Sequence, residues 1–126
     1  MIFSEFLERV INDGIEAAKA DYSKPEDDAR LKGSIAGFEM CRNKTPNEIY
    51  HLFLNAQKEI GDWWMKGAIS EVEQYWYLNC KMAEIEWVAN VISAILISQG
   101  ERPIVIPTAR GHLKAAEILG VYNGKL

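Results

Sequence analysis

The chain has 126 residues, 48% of them apolar and 25% charged, with a formal net charge of −4. That is the length of one domain, enough to bury a core without disulfide staples. The acidic balance argues against general binding along a nucleic-acid backbone, which needs a basic face. The most apolar run, residues 87–97, falls short of the roughly 20 residues that a bilayer crossing needs. Neither nucleic acid nor a membrane is therefore an expected partner.

The first expected helix covers residues 3–21. Phe3, Phe6, Leu7, Val10, Ile11, Ile15 and Ala18 recur at helical spacing, and Glu5, Glu8, Arg9, Asp13 and Glu16 fill the other face. Glu5 and Glu8 read as an acidic first turn favoured by the helix dipole, not as half of a metal site. Gly14 falls on the apolar side, where a small residue admits a neighbouring helix.

Ser23-Lys24-Pro25-Glu26 reads as a capping box opening a second helix over 24–42. Ala29, Gly33, Gly37 and Cys41 repeat every fourth residue, a ridge of small side chains for close helix packing. Arg30 and Arg42 flank it and read as ordinary exposed arginines.

Thr45-Pro46-Asn47-Glu48 is another capping box, with Pro at the first helical position. The third helix carries Ile49, Leu52, Phe53, Ala56, Ile60, Trp63 and Trp64 in one phase. It is expected to run through Gly61 over residues 46–66, with Gly67 ending it; the alternative is a break at Gly61 with Asp62 capping a short extra turn.

The fourth helix, residues 71–99, is the axis of the expected fold. Ser70 and Glu73 suggest a third box, Ile69 a hydrophobic staple, and Gly100 a left-handed end before Pro103. Its 29 residues would span roughly 43 Å at 1.5 Å per residue. A compact monomer of this size is about 36 Å across. The helix therefore bends or reaches another subunit, and a homo-oligomer is expected. Residues 101–107, with Pro at both ends of an Ile-Val-Ile run, should lie extended across the helices, apolar side chains buried. Thr108 then caps a short helix over 109–119, which Gly120 stops and Val121 seals.

The fold class is thus all-α: a bundle of four principal helices and a short C-terminal one, in a single domain. Cys41 and Cys80 lack metal or redox spacing and suit the reduced interior of a cytoplasmic protein. The two histidines, His51 and His112, have no metal-ligand partner one turn away. No metal or cofactor is expected. No nucleophile motif is visible, so no reaction is assigned.

Two stretches are candidates for a site. On the fourth helix Asn79, Glu86, Asn90 and Ser93 share one line, amid residues apolar on nearly every side. Either this line is a polar pocket in which Glu86 and Asn90 orient a small ligand, or it fixes helix register or forms a solvated strip; the structural readings are favoured. At the start of the last helix, free backbone N–H groups beside Thr108, Arg110, Gly111, His112 and Lys114 could hold a phosphate or carboxylate. The competing reading is a plain capped surface helix. The aromatics of Trp63-Trp64 and Tyr75-Trp76-Tyr77 suit a core or a subunit interface.

Residues 114–121, KAAEILGV, resemble the first helix and turn of helix-turn-helix DNA readers. Only five residues follow, so the recognition helix that this resemblance implies is missing, and no DNA-contacting residue is assigned. The expected function is a small interaction or ligand-binding module, accessory or regulatory in the manner of small phage proteins. The alternative is a sensor or enzyme for a nucleotide or other phosphorylated ligand, using Glu86, Asn90, Thr108, Arg110 and His112.

Overall fold

A computed structural model describes residues 3–66 and 71–120. The described residues form five α-helices: α1 (Phe3–Asp21), α2 (Asp28–Cys41), α3 (Pro46–Met65), α4 (Val72–Ser98) and α5 (Ala109–Ile118). No strand occurs among the described residues, so the all-α expectation holds.

Helix starts follow local chemistry, with one correction. The Thr45 box forms: Thr45 Oγ1 accepts the Glu48 N–H at 3.2 Å, and the Glu48 carboxylate accepts the Thr45 N–H at 3.0 Å. The Ser23 box does not. Pro25 forces the residue before it into extended backbone, so Lys24 (φ −89°, ψ 151°) takes the cap position and Ser23 falls outside it. The chain opens instead with a single 3-10 turn, Pro25–Asp27, and the α-helix starts three residues later than Pro25. Ser70, Ile69, Gly67 and Val121, to which the sequence assigns end-of-helix roles, lie outside the described residues; Glu71 precedes α4 without a side-chain cap bond. α3 runs unbroken through Gly61.

α4 touches each of the other four helices. Its C-terminal half is apolar all round because it is covered all round: Ile85, Val88, Ala89, Val91, Ile92 and Ile95 are fully buried. α2 crosses α4 through the small-residue ridge. A Cβ on Gly33 would collide with the Tyr77 carbonyl oxygen, and one on Gly37 with that of Lys81. On the other side of α2 the Phe38 ring lies over Gly14 and closes α1 onto it. Phe6, Leu7, Val10 and Ile11 complete the core from α1, and Ile49 and Ala56 from α3. Arg42 ties α2 to α1 through Glu8 at 2.6 Å, and Arg30 stacks on Trp76 at 4.0 Å, so neither is a spare arginine. No described helix is long and apolar enough to cross a membrane.

Candidate functional site

The features that could carry function gather where the chain turns back along α4. Gly100, at φ 75°, ends the helix in a Schellman arrangement: the Glu101 N–H reaches the Leu96 carbonyl at 2.8 Å, and the Gly100 N–H reaches that of Ile97 at 3.0 Å. The extended segment then descends beside α4. Ser93 Oγ accepts the N–H groups of Ile104 and Val105, each at 3.2 Å. One turn lower, Asn90 Oδ1 accepts the Thr108 N–H at 2.7 Å. Pro103 and Pro107 have no N–H to satisfy. Ile104 and Val105 pack on the core. Ile106 is 92% exposed, contrary to the expectation of burial, because successive side chains of an extended segment point opposite ways.

Thr108 caps α5 by accepting the Gly111 N–H at 3.2 Å. Gly111 is required there: a Cβ would strike Asn90 Oδ1. α5 is thereby laid against α4, and Lys114 ties it to α1 through Asp13 at 2.9 Å. The buried part of the polar line, Asn90 and Ser93, therefore serves loop backbone. Glu86 is exposed, so the buried network including it does not form.

Docking of α5 leaves two adjoining clefts. The first, about 350 Å³, is lined by Ala83, Glu86, Trp87, Asn90, Thr108, Ala109 and Arg110. Four of the five residues singled out in the sequence thus meet around one hollow. The fifth, His112, is exposed and lines neither cleft. Helix geometry leaves the Ala109 and Arg110 N–H groups without intrahelical acceptors at this rim.

The second cleft, about 440 Å³, lies between α1, α4 and α5. Gly14, Ala17 and Ala18 form its floor, Phe38 and Trp87 its aromatic walls, and Asp13, Asp21, Tyr22, Glu84, Arg110 and Lys114 its polar rim. Trp87 and Arg110 belong to both clefts, with the guanidinium 5.7 Å from the ring centroid.

Glu84 is the unusual group. Burial pushes its carboxyl above the ordinary range, the nearby Asp21 charge adds to this, and the Ser34 hydroxyl opposes it. Ser34 is fully buried, and its hydroxyl, close to Glu84 and Cys80, makes no well-formed hydrogen bond among the described residues. Burial also raises the Tyr22 hydroxyl, with Cys80 beside it adding to the effect. Among the described residues Glu84 has no ion-pair partner, and no group of three His, Cys, Asp or Glu side chains is placed to hold a metal.

The polar line on α4 singles out Glu86, not Glu84. Residues two apart on a helix point to nearly opposite sides. A signal for Glu84 does exist: it is the one acid in the line Cys80, Glu84, Val88, Val91, whose other members are all buried. Compared with known protein families, curated proteins and solved structures, the chain matches none of them.

Proposed function

We propose that the protein is a small ligand-binding module whose ligand occupies the clefts that α5 makes against α1 and α4. The observation that carries this reading is the shared wall of Trp87 and Arg110. It joins two hollows of 350 and 440 Å³, within the size range of small-molecule sites, with charged groups at the rim and aromatic rings inside. Such a site binds and orients without supplying a nucleophile, which suits an accessory or regulatory role. Thermal unfolding against nucleotides, phosphorylated metabolites, amino acids, amines and carboxylic acids tests it. A ligand at 100 times its dissociation constant adds about 2.7 kcal/mol of stability. The expected result is at least one compound that raises the unfolding temperature of the wild type and loses that effect in Trp87→Leu. No stabilising compound, or one indifferent to Trp87, would remove the reading.

A second reading, a homo-oligomer, is favoured by the far end of the bundle. Trp63, Trp64, Tyr75 and Trp76 form a chain of rings with centroids 5.1 to 5.8 Å apart. Of these Trp64 is 48% exposed, and beside them Val72 is 56% and Met65 88% exposed, an apolar tip of the kind subunit interfaces cover. Light scattering over a concentration series checks this: association that Trp64→Glu abolishes is expected, and a monomer at every concentration sinks it.

A further inference from the structure

The unbalanced charges of the larger cleft are sorted by position. At the end where α5 crosses α1, Asp13 is neutralised by Lys114 at 2.9 Å and Arg9 at 3.6 Å. Lys114 is spent on Asp13 and Glu117. Arg110 has no carboxylate partner among the described residues and lies over the Trp87 ring. At the other end stand Glu84 and Asp21, also without ion-pair partners among the described residues. Along α1, Asp13 and Asp21 are eight residues apart, roughly 12 Å of helix axis, and Glu84 makes no ion pair with Arg110. Between them run only apolar surfaces: Gly14, Ala17, Ala18, Phe38 and Trp87.

A carboxyl drawn into such a place without a cation is costly unless something completes it. Behind it the Ser34 hydroxyl is buried, directed at Glu84, and left without a well-formed bond. Ser34 does not line the cleft, so Glu84 is the group that calls for a donor arriving from it. The two acids at this end, Glu84 and Asp21, both unpaired among the described residues, favour a cation over a neutral donor. The Arg110 end calls for the opposite charge.

We propose that this cleft takes a small zwitterionic ligand, its ammonium group on the Glu84 carboxylate and its carboxylate or phosphate group on Arg110, with a carbon chain lying between Phe38 and Trp87. The proposal rests on the reading that the cleft is a ligand site, and it names the ligand class. A diamine would leave Arg110 facing a like charge, and a dicarboxylate would do the same to Glu84.

Calorimetric titration of the full chain with three probes of equal length tests it: 6-aminohexanoate, 1,6-diaminohexane and adipate. 6-Aminohexanoate should bind about ten-fold or more tightly than either of the others. Its affinity should fall about ten-fold in Glu84→Gln and again in Arg110→Gln, as expected for loss of a charged hydrogen bond. Arg110 is exposed on α5, so that variant keeps the fold even if Glu84→Gln does not. Equal or better binding of the diamine with no effect of Arg110→Gln, or of adipate with no effect of Glu84→Gln, overturns the zwitterion assignment while leaving the cleft a ligand site. Binding of none of the three also overturns it, and the broader compound screen then decides the cleft reading by itself.

Discussion

Asn90 Oδ1 holds the Thr108 backbone N–H at 2.7 Å, across eighteen residues of chain. This one bond sets where α5 begins and therefore where both clefts lie. Thr108 Oγ1, 3.3 Å from the same oxygen, passes the connection on to the Gly111 N–H. A buried amide side chain here replaces the packing that a ten-residue helix could not supply alone.

Asn90→Leu should therefore cost about 1–3 kcal/mol in urea unfolding, since it leaves the Thr108 N–H without its acceptor. Ser93→Ala should cost a similar amount through Ile104 and Val105. Hydrogen exchange localises the effect: the Thr108 amide should lose protection in the first variant and the Ile104 and Val105 amides in the second. Unchanged protection would mean that the segment is held by other contacts.

The glycines separate packing from propensity. Gly33→Ala places a methyl group against the Tyr77 backbone, which cannot rotate away, and should cost about 1–3 kcal/mol or more as overpacking. Gly61 has nothing within 4 Å of its added Cβ and lies inside α3, so Gly61→Ala should stabilise by about 1 kcal/mol. Equilibrium unfolding of the two variants checks both signs.

Glu84 makes stability depend on pH in a stated direction. A carboxyl whose pKa is raised by folding holds its proton more tightly in the native state. Its contribution is present below the ordinary carboxyl range and is lost as pH rises through the raised native value. In the free protein Glu84→Gln should therefore unfold at a higher temperature than the wild type near neutral pH, and the gap should close as the pH falls below the ordinary carboxyl range. A gap that stays constant with pH would show that burial does not penalise the charge.

The thiols should be unreactive until the protein unfolds. Burial pushes Cys41 up to about 12 and raises Cys80 as well. Little thiolate exists at pH 8, and access is closed. Iodoacetamide should modify both cysteines together on unfolding; rapid labelling of either in the folded protein would contradict their placement.

What was legible in the chain was local. Thr45 with Glu48, Thr108 before α5, Gly100 at a left-handed φ and the apolar spacing of α1 and α3 each depend on neighbours within one or two turns. The fourfold spacing of Gly33 and Gly37 marked a close helix approach for the same reason, because a helix face is a matter of arithmetic. Even the local failure had a local cause: Pro25 moves the cap position of the 3-10 turn before α2 from Ser23 to Lys24.

The site was less legible. The sequence brought Glu86, Asn90, Thr108 and Arg110 to notice, and the fold does gather them at one cleft. It could not say that Asn90 and Ser93 are spent on the returning backbone, because their partners lie eleven to eighteen residues further along the chain. Nor could it choose between Glu84 and Glu86. The C-terminal half of α4 is apolar on nearly every side, so periodicity supplies no phase to tell the face under α1 and α2 from the face under solvent. Helix identity and helix ends come from short-range sterics and capping, which the sequence contains. The partner of each α4 face comes from how five helices share one core, and that only the packed structure decides.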